Sequence, residues 1–344
     1  MIKCLLDNKM IEKFDLDKIH KVYDIWPQIA REQYEREVDV MDYGKISHVV
    51  FAGMGGSGAI GDIFSSILSK TPTHIDIIKG YQLPKTVNSE SLVVTTSISG
   101  NTEETLSVLS EAVKLKSKII AFSNGGKMEK VCLENGINYR KIPMKHSPRA
   151  SFPIFLFSML HTLESILPIE KNEILDSLTE LEKLGKRISS NNLSEENESL
   201  SLAEWISNIP LIYYPEGLKS AATRFKNSLQ ENSKMHAITE NVIEACHNGI
   251  VSWDTPSDIK PILIQGKDDH FKTKERWEIL KTFFKTRDIQ YREIQSIQGG
   301  ILSKLINLIY LLDYATIYRS ILSGIDPTPV EPIDFVKEKL KKFG

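Results

Sequence analysis

From Leu92 to Thr105 the chain reads LVVTTSISGNTEET. The apolar run Leu92-Val93-Val94 can be buried on both faces, which a parallel strand covered by helices demands. Ser97-Ile98-Ser99-Gly100-Asn101-Thr102 breaks it with a glycine at a tight turn, and a strong helix former follows. A strand, a tight turn and a helix in this order are half of a βαβ unit, so the chain is held to an α/β architecture with a parallel sheet. The same turn carries chemistry. A helix N-terminus presents unpaired N–H groups and partial positive charge, and Ser97, Ser99 and Thr102 add three hydroxyls that donate to anions. One cap uses one hydroxyl, so a phosphate cradle accounts for all three where helix capping by Ser99 or Thr102 accounts for one.

The pattern recurs. Helical residues 8–42 carry an apolar stripe of Ile11, Phe14, Ile19, Val22, Tyr23 and Ile25. Strands are expected at His48–Ala52, Ile75–Ile78, Leu92–Thr96, Ile119–Phe122 and near Asn138–Ile142, with a helix over Glu103–Val113. Pro148-Arg149 opens an apolar helix running to Leu163, and Lys171–Leu184 forms another. The polar stretch KRISSNNLSEENES, between Lys186 and Ser199, marks a boundary between domains 1–185 and 200–344. Beyond it, strands at Ile209–Tyr213, Ile262–Ile264 and Tyr291–Ile294 alternate with helices at Leu218–Leu229 and Lys274–Lys285. Helices around Leu302–Leu322 and Ile333–Lys342 close the chain, separated by Asp326-Pro327-Thr328-Pro329. The second half repeats the architecture of the first without a copy of the SISGNT loop.

Composition narrows the function. With 43 basic and 45 acidic residues the net charge is −2, and the basic residues are scattered, so nothing draws the chain to nucleic acid. Cys4, Cys132 and Cys246 are three, far apart and without CxxC spacing, which fits a reducing compartment. The N-terminus has no signal-peptide pattern, and His161 and Glu164 interrupt the apolar region Phe152–Ile169, which reads as a buried helix. No membrane partner and a cytoplasmic location are expected.

Gly53-x-Gly55-x-x-Gly58 after the first strand matches the dinucleotide fingerprint, with Asp76 at about the spacing of a ribose-binding acid. That keeps a nicotinamide-dependent enzyme open. Against it, Asp76 falls inside its strand rather than at the carboxyl end, which reads Lys79-Gly80-Tyr81. A turn that needs glycine only for steric reasons is the plainer alternative. Two anion-friendly loops at the ends of neighbouring strands instead suit a small phosphorylated ligand. Arg149 offers fixed positive charge, or is an ordinary surface arginine.

Taken together, GMGGSGAIGD, SISGNTEET, SPRA, Glu231-Asn232-Ser233-Lys234, His247-Asn248 and DPTPVEPID resemble the bifunctional phosphoglucose/phosphomannose isomerases of archaea and some bacteria. The resemblance runs from about Lys45 to the C-terminus. It implies two tandem SIS-type three-layer α/β/α sandwiches with parallel sheets, a homodimer, and a metal-free aldose–ketose isomerase that uses no cofactor. Carried over by residue, Gly56, Ser57, Ser97, Ser99 and Thr102 hold the substrate phosphate. Arg149 stabilises the anionic intermediate, Glu231 is the base, and His247, reaching in from the partner subunit, opens the sugar ring. Lys304 matches a late lysine of the family.

These residue types suit the reaction. One carboxylate can move a proton between C1 and C2 through a cis-enediol, a guanidinium neutralises the enediolate without titrating, and an imidazole shuttles a proton at the ring oxygen. From the residues alone Glu240 and Glu244 compete with Glu231, and His247 has seven other histidines as rivals. Where the family's dual-specific members carry threonine ahead of the lysine, this chain has Ile297, so acceptance of mannose 6-phosphate besides glucose 6-phosphate stays open. No HExxH or Cys/His cluster appears, and His161-x-x-Glu164 lies in an apolar helix where a core role is the reading. A non-catalytic sugar-phosphate sensor built on the same domains is the remaining alternative.

Overall fold

The computed structural model describes residues 6–37, 42–340 and 342, so Cys4 and part of the expected 8–42 stretch lie outside the described residues. That stretch is three short helices, α1 (Asn8–Phe14), α2 (Ile19–Asp24) and α3 (Trp26–Glu35). Asp15 makes the break. Its N–H closes α1 on the Ile11 carbonyl at 2.9 Å, while its carboxylate accepts the amides of Ile19 (3.0 Å) and His20 (2.9 Å) and so caps α2.

Next come β1 (His48–Ala52), α4 (Gly55–Leu68), β2 (His74–Ile78), β3 (Leu92–Ser97), α5 (Glu103–Lys114), β4 (Lys118–Ser123), α6 (Gly126–Glu134) and β5 (Asn138–Lys141). They build a parallel five-stranded sheet of order β2-β1-β3-β4-β5. Every residue of β1 and β3 is buried, as expected of central strands covered on both faces. Helices α7 (Phe152–Thr162) and α8 (Lys171–Ile188) follow. The apolar helix therefore starts at Phe152 and not at Pro148. Ser147 to Ser151 form a turn first, the Ser151 amide bonding the Ser147 carbonyl at 3.0 Å, and Pro153 sits in the first helical turn where a missing N–H costs nothing.

The polar stretch after α8 is an organised turn rather than a loose linker. Asn197, fully buried, donates to the carbonyls of Ile188 (3.1 Å) and Asn192 (2.7 Å) and caps α9 (Glu198–Trp205) through the Leu200 amide. The second sheet contains β6 (Ile209–Tyr214), β7 (Ile238–Asn241), β8 (Ile259–Gln265) and β9 (Arg292–Gln295), parallel and ordered β7-β6-β8-β9. Its helices are α10 (Lys219–Asn232), α11 (Val242–Ala245) and α12 (Phe271–Thr286); α13 (Ile301–Leu322) and α14 (Glu331–Leu340) end the chain. The strand order repeats that of the first sheet, less one edge strand. Strand β7 escapes a reading of hydrophobic pattern because its sequence is ITEN.

Two compact units result. One joins Lys186–Ser296 to the N-terminal residues through Tyr23 and to the C-terminal residues from Leu308; the other comprises Asp24–Gly185 with Ile297–Asn307. The units thus differ from a division at 1–185 and 200–344 in two segments. Tyrosines explain the first: Tyr310 in α13 donates to the Tyr23 carbonyl at 2.7 Å, and Tyr314 packs on the Tyr23 ring 5.8 Å away. Helix α13 is long and apolar enough to cross a membrane by length and composition alone, but 89% of its most apolar window is buried, which is how a core helix behaves. Its one deeply buried acid, Asp313, is matched by Arg224 at 2.6 Å and Ser228 at 2.7 Å, so the charge is paired and hydrogen-bonded.

Candidate active site

In the first sheet β1 leads to α4 and back to β2 on one side, while β3 pairs on the other side of β1. The switch point of the sheet therefore lies between the carboxyl ends of β1 and β3, where open α/β sheets bind ligands. Both anion-friendly loops emerge there. The glycines are required by contact: a Cβ on Gly53 would lie 2.9 Å from the Thr96 carbonyl oxygen, and one on Gly58 2.8 Å from the Gly53 oxygen. This close approach lets Ser57, buried in the first turn of α4, accept the Ile98 amide at 3.4 Å and tie the two loops together.

The second loop turns at once after β3. The Gly100 amide bonds the Ser97 carbonyl at 2.9 Å, and Gly100 adopts φ +69°. Thr102 occupies the N-cap position of α5, yet its side chain makes no capping bond; its hydroxyl meets that of Ser97 at 2.9 Å instead. Simple capping thus fails to explain Thr102. Ser97 is buried, Thr102 half-buried and Ser99 exposed. Asn101 braces the loop, donating to the Ser99 carbonyl (2.9 Å) and accepting the Lys127 amide (3.1 Å). The motif supplied Asn101, but its bracing role depends on a loop distant in sequence.

Arg149 is buried, with 6% of its surface exposed, so it is not an ordinary surface arginine. Its turn is pinned on both sides: Trp26 Nε1 donates to the Ala150 carbonyl at 2.9 Å, and Ser151 Oγ accepts the Lys145 amide at 2.8 Å. A Cβ on Gly56 would come within 3.9 Å of the Pro148 carbonyl oxygen, which places this turn beside the glycine loop. Gly56, Ser57, Ser97, Ser99, Thr102 and Arg149 therefore share one unit. Lys304 belongs to the same unit, half-buried in the first turn of α13, its amide bonded to the Gly300 carbonyl at 3.1 Å. Glu173 crowds that segment: a Cβ on Gly300 would sit 1.9 Å from its carboxylate oxygen. Burial raises the pKa of Glu173, helped by the charge of Asp176. Nothing in the sequence marks this carboxyl.

Glu231 and His247 lie in the other unit. Glu231 is half-buried in the last turn of α10, and the residues after it are fixed to α13. Asn232 donates to Thr316 Oγ1 and Ser233 to the Thr316 carbonyl, both at 2.8 Å, while Ser320 donates to the Asn232 carbonyl at 2.8 Å. Lys234 binds the carbonyls of Glu231 (2.6 Å) and Pro329 (2.7 Å), so the ENSK and DPTP segments form one structure. His247 is exposed in the turn after α11, its amide bonded to the Glu244 carbonyl at 2.8 Å. The two rival acids flank that turn. Glu244 is exposed and accepts from Asn248 at 2.8 Å. Glu240, half-buried on β7, lies so near Gly249 that a Cβ there would be 2.3 Å from its oxygen, and burial, then the Glu244 charge, raises its pKa.

The dinucleotide reading fails on the position of Asp76. Its carboxylate is engaged by His48 Nε2 at 3.0 Å and His74 Nε2 at 3.4 Å, residues that begin β1 and β2, away from the carboxyl ends. At the carboxyl end, Lys79 pairs with Asp62 at 2.6 Å. His161 packs against Tyr34, with ring centroids 5.5 Å apart. The second sheet offers no equivalent anion loop, since the turn after β8 is Gly266-Lys267-Asp268-Asp269, with Asp269 accepting Gly266 N–H at 3.0 Å and Trp277 Nε1 at 3.0 Å.

Two parallel sheets, one of them bearing a hydroxyl-lined loop at its switch point, define a tandem SIS-type α/β protein. Residues 195–340 match the bacterial phospho-glucose isomerase C-terminal SIS domain. The chain is 32% identical over 338 residues to a bifunctional phosphoglucose/phosphomannose isomerase of Caldicellulosiruptor bescii, covering 95% of this chain and 97% of that one. It is 31% identical to the protein of the same description from Aquifex aeolicus, covering 90% and 95%. Among solved structures, a hypothetical protein from Thermus thermophilus shares the fold with a TM-score of 0.72 at 13% identity, over 97% of this chain and 92% of that one. The chain belongs to the bifunctional phosphoglucose/phosphomannose isomerase family.

Proposed function

We propose that this protein interconverts fructose 6-phosphate with glucose 6-phosphate, and with mannose 6-phosphate if the Ile297 segment admits the C2 epimer. The observation that carries the phosphate half of this reading is the Ser97–Thr102 hydroxyl pair at the start of α5, where Thr102 holds the capping position without capping. Hydroxyls and first-turn amides suit a dianionic phosphate ester, because charge-assisted bonds are about twice as strong as neutral ones. Ser57 and Gly56 border the same loop, and the buried Arg149 turn packs beside them.

In the reaction so proposed, His247 protonates the ring oxygen, the C1 hydroxyl releases its proton to water, and the bond from C1 to the ring oxygen breaks to give the open aldehyde. Glu231 removes the proton from C2 of the aldose, and the C1 oxygen gathers negative charge as the cis-enediolate forms. Arg149 and Lys304 offset that charge. The C2 hydroxyl gives up its proton to the C1 oxygen, Glu231 returns its proton to C1, and C2 becomes the carbonyl, giving the ketose with no net redox change, so the proton transfer calls on no nicotinamide. His247 serves the partner's site in a homodimer, and the protein acts in the cytoplasm, where the interconversion serves glycolysis and gluconeogenesis. Similarity across nearly the whole chain to relatives described as isomerases favours catalysis over a sensor.

The test follows fructose 6-phosphate by NMR after adding enzyme. Resonances of glucose 6-phosphate are expected, and mannose 6-phosphate signals report whether Ile297 permits dual use. Binding without any conversion would establish the sensor instead.

A further inference from the structure

At the opposite end of the first sheet from the phosphate loops, three side chains with metal-ligand chemistry converge. Strands β1 and β2 pair in a register that sets His48 directly opposite His74, and Asp76, two residues along β2, shares the face of His74. One ligand atom from each lies within 4.8 Å of the others. His48 Nε2 is 3.0 Å and His74 Nε2 3.4 Å from the same oxygen, Asp76 Oδ2. Ligands about 2.0–2.1 Å from a tetrahedral zinc ion stand roughly 3.3–3.4 Å apart, so the two nitrogen–oxygen separations need change by only a few tenths of an ångström, while the two histidine ligand atoms, within 4.8 Å of each other, must draw together on binding.

The surroundings are those of a metal ligand. His48 is buried, and its other ring nitrogen, Nδ1, meets Ser91 Oγ at 3.1 Å. That hydroxyl is itself held by the Asn88 amide at 3.1 Å. Such a contact fixes the ring so that Nε2 faces the ligand position, as outer partners of metal-bound histidines do. His74 leaves the other side of the cluster open, its side chain 63% exposed, which gives an ion both a route in and a coordination position for water. Two imidazoles and one carboxylate favour a borderline divalent ion over magnesium or calcium, which prefer oxygen.

We propose that His48, His74 and Asp76 bind one such ion, of the zinc type, in a site that braces the β1–β2 edge and takes no part in the isomerase chemistry. The sequence does not disclose it, because helix α4 lies between the two strands that carry the ligands and only their register brings them together.

The test strips the full-length protein with chelator and titrates it with Zn2+ by calorimetry and with Co2+ by visible absorption. One ion per chain and the intense bands of tetrahedral or five-coordinate Co2+ are expected. His74→Ala, which removes an exposed side chain, should weaken binding at least about 30-fold, and Ser91→Ala by about 10-fold. Isomerase turnover should not change in His74→Ala, so a failure of the isomerase reading leaves this measurement intact. Equal Zn2+ affinity in the wild type and His74→Ala, or only the weak bands of octahedral Co2+, would overturn the site.

Discussion

Replacing Gly100 with alanine tests whether the phosphate loop is held by backbone contact. Gly100 sits at φ +69°, where a side chain costs about 1–2 kcal/mol. The added Cβ would lie 1.6 Å from the Gly125 carbonyl oxygen, a backbone atom that cannot rotate away. Relief requires the 124–126 loop to move by more than an ångström. That movement breaks the Asn124 amide to Ile98 carbonyl bond (3.0 Å) and the Met128 amide to Gly100 carbonyl bond (2.9 Å). At about 1 kcal/mol for each bond, the total is roughly 3–4 kcal/mol. Gly136 supplies the control. Its φ is +63°, but a Cβ there meets nothing within 4 Å, so Gly136→Ala should cost only the strain of about 1–2 kcal/mol. Urea unfolding followed by a probe in the Asp24–Gly185 unit measures both, with unchanged m values showing that the endpoints are comparable. Equal losses in the two variants would refute the contact argument, because both carry the same backbone strain.

Thr102→Val with Ser97→Ala should raise KM for phosphorylated sugar by about 10–100-fold, as lost charge-assisted bonds do, and thermal melting should show the fold intact. Unchanged KM would move the cradle elsewhere. Glu231→Gln keeps shape but cannot take a proton, so kcat should fall by about 10²–10⁴ with KM nearly constant, and deuterium exchange into C2 of glucose 6-phosphate should stop. If Glu240→Gln does this instead, the raised pKa of Glu240 marks the base. The carboxyl of Asp15 carries a pH signature. Burial raises its pKa, but hydrogen bonds from His20 and Ile19 outweigh this and hold it below the usual 3.8. A depressed folded value gives stability that is present above the unfolded pKa and lost as pH falls through the folded one. Asp15→Asn should therefore lower stability at neutral pH and flatten the acid limb of an unfolding-against-pH curve. An unchanged acid limb would show that the pair contributes nothing.

The parallel strands, their helices and the anion loop were legible in the chain because each is local. Leu92-Val93-Val94 can be satisfied only by burial on both faces, and Gly100 only by a turn that needs positive φ. Strand β7 was not legible, since ITEN has no apolar period and becomes a strand by pairing with β6. Nor was the assignment of α1 and most of α2 to a unit built mainly from the second half, which rests on contacts such as Tyr310 to Tyr23. At the candidate site, residue types were readable and states were not. On the residues alone Arg149 reads as an ordinary surface arginine until Trp26 and Ser151 close its turn, and capping stays an alternative for Thr102 until its hydroxyl is seen bonded to Ser97. Asp76 shows the difference most clearly. Spacing offered it as a ribose ligand, while strand register turns it toward two histidines at the other end of the sheet. Local sequence sets which backbone conformations and donors exist; which groups face one another, and with what desolvation, is decided only when strands distant in the chain take a common register.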